Sequence, residues 1–283
     1  MTLLASWVAV DPRGIQSMYM ASDSCISWKG VHSNSVTQRF LHYKKLYACQ
    51  KRPEMFGFCG DATFCANVLE QIVNMIDSGV MFKVGYSPQL KAQTILNFII
   101  RNYEDFPKDS LRLPIEILYG FRTKGGKKAR FYCYMISCKN SQWKLSEVSL
   151  RQRQNDKNIS YYVCKMGTGA LDLEKEINEY IYKKKNGFSR GMFAAFCNTL
   201  GNNITDMTYG GAPQLVGIYR KPDSPAINFG VIYKGKKYIS GQEVTNYDSI
   251  RISEMEWRND VFEIVDPVTN QRKEGAKVQP LNA

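Results

Sequence analysis

The sequence feature that most restricts the fold is a strand-like run at residues 129–138 that is apolar on both alternating faces. The two faces carry, in turn, Phe131, Cys133 and Met135, and Tyr132, Tyr134 and Ile136. Because successive side chains of a strand point to opposite sides of its sheet, both sides of this sheet must be covered by other parts of the chain. We therefore predict a sheet that lies between two layers of structure.

Two amphipathic helices are predicted in the first half of the chain. Gly60-Asp61 opens the first, whose apolar stripe at helical spacing is Phe64, Cys65, Val68, Leu69, Ile72, Val73 and Ile76. Ser87-Pro88 opens the second, because serine suits the cap and proline suits the first turn. Its stripe is Ala92, Leu96, Ile99 and Tyr103. Two further helices are predicted at residues 171–184 and 189–200.

The order of the strand-like segments indicates the fold class. They are predicted at residues 3–8, 17–24, 42–49, 55–59, 115–122, 129–138, 143–150, 159–165, 214–219 and 226–233. Strands, two helices, strands, two helices and strands follow one another, and such runs favour packed sheets covered by helices. We therefore predict an α+β fold, a four-layer αββα sandwich of two mostly antiparallel sheets between helical layers.

The polar segment at residues 234–283 is weakly patterned. We expect it to be a C-terminal extension to a main domain at residues 1–233. Two forms remain open for it, a hairpin with a short helix or an arm that contacts a neighbouring subunit.

The formal net charge of +12 over 283 residues requires that a nucleic-acid partner be considered. Basic clusters at residues 124–130 and 183–185 supply part of this charge. The first is typical of a hairpin turn between two strands, and the second ends a predicted helix, where cations favour the helix dipole. Neither comes with zinc-finger spacing or an RNA-binding aromatic motif, so nucleic-acid binding is disfavoured.

The eight cysteines form no CxxC pair and lie among apolar residues, as in Phe58-Cys59. This pattern indicates buried, reduced thiols, and we expect neither a metal site nor a cofactor. No apolar segment reaches membrane-spanning length, and no basic region precedes the apolar N-terminal run. We therefore expect a soluble cytoplasmic protein without a signal peptide and without a membrane partner.

The first residues, Met1-Thr2 followed by the apolar run at 3–8, suggest a nucleophile. Initiator methionine is usually removed before a small residue, which would give Thr2 a free α-amine beside its hydroxyl. With a pKa near ~8 the amine can serve as a base for the hydroxyl proton. The same start is also typical of an ordinary edge strand. Residues elsewhere in the chain are therefore needed to distinguish a catalytic N-terminus from such a strand.

Several short motifs follow Thr2 along the chain, each beside a predicted strand or helix. They are Ala21-Ser22-Asp23-Ser24, Lys44-Lys45-Leu46, Gly60 before the first helix, Gly167-Thr168-Gly169 before the third, and Asp206-Met207-Thr208-Tyr209-Gly210-Gly211. Over roughly residues 2–220 this set resembles the proteasome β-subunit family, the threonine-type N-terminal nucleophile (Ntn) hydrolases, including bacterial proteasome-like members. The resemblance implies an Ntn-hydrolase fold at residues 1–233 and proteolysis by a threonine peptidase within an oligomeric ring.

The resemblance also implies roles for these residues. Thr2 would attack a peptide carbonyl, while Lys45, held by Asp23, would set its protonation. Thr168 and Asp206 would hydrogen-bond around the α-amine and orient it, and Tyr209 matches a further catalytic position. The Gly60 N–H would donate into the oxyanion hole.

Substrate contacts are implied as well. Ser27 matches a position whose backbone pairs with an extended substrate. The residues that match the first specificity pocket are Ile26, Tyr43, Tyr47, Phe58 and Ala62. None of them is charged, which favours an apolar or aromatic residue before the scissile bond.

The sequence departs from the family pattern at several points. The intervals from Thr2 to Asp23 and from Asp23 to Lys45 are longer than usual in the family. Thr168 replaces a serine but keeps the hydroxyl, and Tyr209 stands where the family generally has a serine. A phenol can donate the same hydrogen bond but needs more room.

Four functions remain open at this point. They are a threonine peptidase in a homo-oligomeric ring with an ATP-dependent unfoldase and polypeptide substrates, a catalytically inactive structural ring subunit, a small-amide Ntn hydrolase, and a nucleic-acid-binding module. Retention of Thr2, Asp23 and Lys45 together argues against an inactive subunit. A Ser-His-Asp hydrolase is disfavoured, because only His32 and His42 exist.

Overall fold

The structure is a computed structural model, and it describes residues 2–29, 36–107, 113–150, 159–179, 188–203 and 206–276. The strands in this part of the chain are β1 (Leu4–Asp11), β2 (Gly14–Ser22), β3 (Ile26–Lys29), β4 (Val36–Phe40), β5 (Leu46–Ala48), β6 (Glu54–Cys59), β7 (Ile115–Thr123), β8 (Arg130–Lys139), β9 (Gln142–Glu147), β10 (Tyr161–Met166), β11 (Gln214–Tyr219), β12 (Ala226–Asn228), β13 (Gly230–Tyr233), β14 (Lys236–Ile239), β15 (Gln242–Glu243), β16 (Trp257–Asn259) and β17 (Ile264–Val265). The helices are α1 (Ala62–Asp77), α2 (Pro88–Asp105), α3 (Ala170–Ile177), α4 (Ser189–Asn202) and α5 (Ser249–Glu254). The fold is α+β, as predicted.

The strands form three larger sheets and one hairpin. The first sheet has the order β10-β1-β2-β11-β12, the second β5-β6-β7-β8-β9 and the third β15-β14-β13-β16-β17. Strands β3 and β4 form a separate antiparallel pair. Pairing in the first two sheets is antiparallel throughout, and the third contains one parallel pair, β13 with β16.

One apolar cluster joins the first two sheets face to face. Leu4 and Met20 of the first sheet share it with Met55, Leu118 and Cys133 of the second. These side chains are fully buried, since each has 0% exposure. Burial of this apolar area fixes the two sheets against each other.

The outer face of the second sheet is covered by α1 and α2. Ile72 of α1 and Ile99 of α2 belong to the same cluster as Ile117, Tyr134 and Ile136 of the sheet. Asp61 caps α1 through the Phe64 N–H, and Ser87 caps α2 through the Leu90 N–H. Strand β8 is therefore buried from both sides, which confirms the prediction for residues 129–138.

The outer face of the first sheet is covered by α3 and α4. Leu3 and Trp7 share a cluster with Leu173 of α3 and with Phe193 and Phe196 of α4. Trp7 is stacked 5.4 Å from Tyr19 on the neighbouring strand, between ring centroids. The N-terminal strand is thus held on both faces, so its first residues are fixed in the interior.

Several predicted boundaries are wrong. The strand predicted at 226–233 is two strands, β12 and β13, which belong to different sheets. The chain turns between them because Gly230 packs against Trp257, where an added Cβ would lie 2.3 Å from the indole ring. The strand predicted at 42–49 is limited to β5, because the Tyr43 N–H donates to Ser24 O and the Lys45 N–H donates to the Gln214 side chain.

Other predicted segments differ at their ends. Helix α3 ends at Ile177, and part of the helix predicted at 171–184 lies outside the described residues. Strand β9 ends at Glu147 rather than at residue 150. The basic run at 124–130 does form the turn of the β7–β8 hairpin, with a short 3-10 helix at Gly126–Lys128.

The segment after residue 233 pairs with the rest of the chain through β13, which bonds to β14 and β16. The division at residue 233 stays a prediction. In the described ranges, no helix is both long and apolar enough to span a membrane.

Candidate active site

The pairing of β1 with β2 brings Thr2 and Asp23 together. Leu4 lies opposite Ser22 in the antiparallel register, so the residue before β1 and the residue after β2 are neighbours. The Asp23 N–H donates to Leu3 O at 2.9 Å, and the Leu3 N–H donates to Asp23 Oδ1 at 3.0 Å. The first sheet therefore places the threonine hydroxyl and a carboxylate at the same end.

Lys45 enters this end from the second sheet. Its Nζ donates to Thr2 Oγ1 at 2.9 Å and to Asp23 Oδ1 at 2.6 Å. Lys45 and Asp23 have 0% exposure and Thr2 has 2%. A lysine side chain usually extends to solvent, whereas this buried ammonium is held by its two partners.

The Asp23 carboxylate accepts hydrogen bonds from four donors. Oδ1 receives the Leu3 N–H and Lys45 Nζ, and Oδ2 receives the N–H groups of Cys25 at 3.2 Å and Gly210 at 2.9 Å. All four partners are donors, which suits a carboxylate that acts only as an acceptor. The orientation of Asp23 is fixed by the backbone of three chain segments, and Asp23 in turn orients Lys45.

Two glycines near the ends of β6 and β10 allow close backbone contacts, and only that of Gly167 is with Thr2. Gly60 follows β6 with φ +109°, and an added Cβ would lie 1.8 Å from Pro114 O. Gly167 follows β10 with φ +85°, and an added Cβ would lie 2.1 Å from Thr2 O. The Gly169 N–H donates to Thr2 O at 3.3 Å, so the turn before α3 contacts the threonine backbone directly.

The hydroxyl of Thr168 lies in the same turn and pairs with Thr208, since their Oγ1 atoms are 2.6 Å apart. Asp206 Oδ1 accepts the Thr208 N–H at 2.7 Å, and Asn203 Nδ2 donates to the Asp206 carbonyl. The Asp206 side chain therefore shapes the turn that presents the Thr208 hydroxyl.

Tyr209 has a different environment. Its hydroxyl donates to Asp172 Oδ2 at 3.0 Å, and its side chain lies in the cluster beneath α3 and α4. Burial raises the pKa of this phenol well above its usual value, and the hydrogen bond to Asp172 raises it further. The phenol is thus a neutral donor directed to α3, while its backbone carbonyl accepts Arg39 Nη2 at 2.9 Å.

The residues predicted to bind substrate are placed in two groups. Ile26 and Ser27 lie on β3, opposite Phe40 and Arg39 of β4. Tyr47 and Phe58 are 3% and 1% exposed and belong to the core between the second sheet and its helices. Tyr43 and Ala62 are half-buried against that core, and the Tyr43 hydroxyl donates to Ala62 O at 2.8 Å.

Sequence reasoning missed two polar residues at this end of the sheets. Thr208 carries a hydroxyl two positions after Asp206 and one before Tyr209, and this position within the motif could have indicated its contact with Thr168. Gln214, the first residue of β11, hydrogen-bonds to the backbone of both Asp23 and Lys45. A single glutamine that opens an apolar strand has no local pattern that could have revealed it.

Cys59 is a second nucleophilic side chain close to the site. Burial raises its pKa far above the usual thiol value, and the nearby Lys45 charge offsets only part of that effect. The thiol is therefore protonated at neutral pH and is a poor nucleophile. Within the described residues, no group of three or more His, Cys, Asp or Glu could hold a metal ion.

No protein-family model matches the chain, and no curated protein matches it. Among solved structures it is similar to an Anbu mutant from a Hyphomicrobium species, with 16% identity, a TM-score of 0.44, and coverage of 79% of this chain and 83% of that one. It is also similar to Anbu, described as an ancestral beta-subunit, from Yersinia bercovieri, with 12% identity, a TM-score of 0.47, and coverage of 79% and 82%.

A further Anbu structure from the Hyphomicrobium species has 14% identity, a TM-score of 0.45, and coverage of 78% and 84%. The predicted membership of the proteasome β-subunit family is therefore wrong as stated. Neither a family model nor a curated relative supports it, and the similar structures are Anbu proteins at low identity. The short motifs after Thr2 are therefore not sufficient to assign the chain to that family.

Proposed function

We propose that this chain is a threonine peptidase whose nucleophile is Thr2, made active when Met1 is removed. The observation that carries the proposal is the buried contact of Lys45 Nζ with both Thr2 Oγ1 and Asp23 Oδ1, at 2.9 and 2.6 Å. A buried ammonium beside a threonine hydroxyl favours the build-up of negative charge on that oxygen. This is the electrostatic help that an alcohol nucleophile requires.

The reaction would proceed through an ester. Thr2 Oγ1 attacks the peptide carbonyl carbon, and its proton passes to the free α-amine and then to the departing amine as the C–N bond breaks. Water then cleaves the ester, with the α-amine as base, which releases the acid and restores the hydroxyl. Lys45, held by Asp23, stabilises the charge on Oγ1 through its contact with that atom.

Other residues would support this chemistry. The Gly60 N–H would donate to the oxyanion, where loss of one donor typically costs about two to three orders of magnitude in rate. Thr168, Asp206 and the neighbouring Thr208 would orient the α-amine. The Tyr209 hydroxyl already donates to Asp172, so we propose no contact between this hydroxyl and the α-amine.

An extended substrate would add to β3 at Ser27. In the described part of the chain, β3 is a short strand that pairs with β4, and addition of an extended peptide to a strand is a common mode of peptide binding. We infer a preference for an apolar or aromatic residue before the scissile bond, because the side chains of Ile26, Tyr43 and Ala62 are uncharged; Tyr47 and Phe58 belong to the neighbouring core.

The layer order belongs to the same proposal. The three apolar clusters support an arrangement of helices, sheet, sheet and helices over residues 1–233. Residues 234–283 would extend it through β13.

We also propose that the chain forms a homo-oligomeric ring, which receives polypeptide from an ATP-dependent unfoldase. Sedimentation velocity tests the ring, because it measures the mass of the assembly. A single species with the mass of one chain would contradict the ring.

Hydrolysis of a fluorogenic peptide by chains that begin at Thr2 tests the proposed activity. Thr2→Ala should reduce hydrolysis to background, because no other hydroxyl contacts Lys45 Nζ in the described residues. Thr94→Ala on α2 is the matched control and should keep full activity, since its hydroxyl donates to Leu90 O within the helix. Equal activity of Thr2→Ala and wild type would refute the proposal.

A further inference from the structure

Gln214 connects the two chain segments that carry Asp23 and Lys45. It is the first residue of β11 and is only 1% exposed. Its Nε2 donates to Asp23 O at 2.9 Å and to Tyr43 O at 2.8 Å, and its Oε1 accepts the Lys45 N–H at 3.0 Å. Both amide donors are thus used, and the carbonyl oxygen has a donor.

This connection joins two different sheets. Asp23 follows β2 in the first sheet, and Lys45 precedes β5 in the second. Apolar contacts hold these sheets together, but such contacts have no direction and do not fix an angle between polar atoms. Hydrogen bonds to a planar amide do fix it, because their strength falls steeply when the geometry is distorted.

The position of Gln214 is itself fixed. In the antiparallel pairing of β11 with β2, Gln214 lies opposite Ser22, one residue before Asp23. The amide therefore starts from a rigid strand beside Asp23 and reaches across to the backbone at residues 43–45. The Tyr43 N–H to Ser24 O bond, 2.9 Å long, is a second link between the same segments.

We propose that Gln214 is a positioning residue that sets the geometry of Lys45 relative to Asp23 and Thr2. Its three hydrogen bonds are all to backbone atoms, so it acts through the backbone of residues 23, 43 and 45. The inference rests on the proposed peptidase function. A displacement of about 1 Å at a reacting group can cost about 10²-fold in rate.

Gln214→Met tests the inference, because methionine has a similar shape but cannot make the three hydrogen bonds. We expect kcat for peptide hydrolysis to fall roughly 10- to 100-fold, with a smaller change in KM, because Gln214 also holds the carbonyl of Tyr43, which we infer to contact substrate. The pH profile of kcat should also change, because the Lys45–Asp23 pair is no longer held in register.

A second variant separates positioning from a general loss of stability. Glu54→Gln alters a buried residue outside the site, whose carboxylate accepts the Tyr119 hydroxyl at 2.5 Å and Lys91 Nζ at 2.6 Å. Both variants should have lower unfolding midpoints, but Glu54→Gln should keep the wild-type kcat and pH profile. Loss of kcat in both variants in proportion to stability would overturn the positioning role.

The two proposals fail in different ways. If wild type hydrolyses the peptide and Gln214→Met does so with unchanged kcat and pH profile, the inference fails while the peptidase function stands. If wild type that begins at Thr2 is inactive, the peptidase function fails and the inference fails with it. A selective fall in kcat with an altered pH profile supports both.

Discussion

Lys45 is the residue on which the site most depends. Its ammonium is fully buried between the Thr2 hydroxyl and the Asp23 carboxylate. Removal of one member of a buried ion pair leaves the other charge without compensation, which typically costs about 3–5 kcal/mol. The same contact that would activate Thr2 is therefore also a structural tie between the two sheets.

Lys45→Met should lower the free energy of unfolding by about 3–5 kcal/mol, as measured by urea denaturation, and should abolish hydrolysis. The double variant Lys45→Met/Asp23→Asn should be inactive, and it should be less destabilised than the sum of the two single variants, because the charge pair is lost only once. A double variant as unstable as the sum of both single variants would contradict this coupling.

The sequence could indicate some of the site residues but not the others. Thr2, Asp23 and Lys45, which hydrogen bonds bring together, could be named as candidates because each lies in a short motif, whereas the role predicted for Gly60 stays a prediction. Gln214 could not, since its partners are backbone groups far away in the sequence, and no local pattern reports such contacts.

At the scale of elements, the β1–β2 turn is tied to the end of β11. Arg220 Nη2 donates to Asp11 Oδ2 at 2.5 Å, and the Arg13 N–H donates to Asp11 Oδ1 at 2.8 Å. The Arg220 hydrogen bond holds the pKa of Asp11 well below its usual value, against the raising effect of partial burial. Asp11 therefore stabilises the fold only in its ionised form.

Asp11→Asn should destabilise the protein at pH 7, and the difference from wild type should shrink on acidification. Because the folded pKa is depressed, the contribution of Asp11 is complete above the unfolded pKa of about 3.9 and is lost as pH falls below it towards the folded pKa. Urea unfolding of both proteins at pH 7 and pH 3 measures this. A difference that is the same at both pH values would contradict it.

Element types were easier to predict than element ends. The two-sided strand at 129–138 and the capped helices α1 and α2 follow from periodicity and caps, which are local. The separation of β12 from β13 depends on the approach of Trp257 to Gly230, and the short β5 depends on Gln214. Both are tertiary contacts between distant residues, so periodicity alone could not show where these strands end.

At the scale of the whole molecule, stability rests on the apolar cluster between the first two sheets. Leu118 of β7 lies in that cluster with 0% exposure, whereas Leu113, which precedes β7, is 45% exposed. Leu118→Ala should lower the free energy of unfolding by about 2–5 kcal/mol, because it leaves a cavity. Leu113→Ala should change it by less than about 0.5 kcal/mol.

Chemical denaturation of these two leucine variants tests whether the sheets pack as described. Similar stabilities for Leu118→Ala and Leu113→Ala would contradict the face-to-face packing. Because Leu4 belongs to the same cluster, Leu118→Ala should also slow hydrolysis through its effect on the position of β1.

The central claim, that Thr2 is the nucleophile, is tested most directly by the intact mass of the protein before and after incubation with a peptide epoxyketone. Such reagents react with both the hydroxyl and the free α-amine of an N-terminal threonine. We predict a chain that begins at Thr2 and gains the mass of one inhibitor, with no gain in Thr2→Ala. A chain that begins at Thr2 and remains unmodified would contradict the claim.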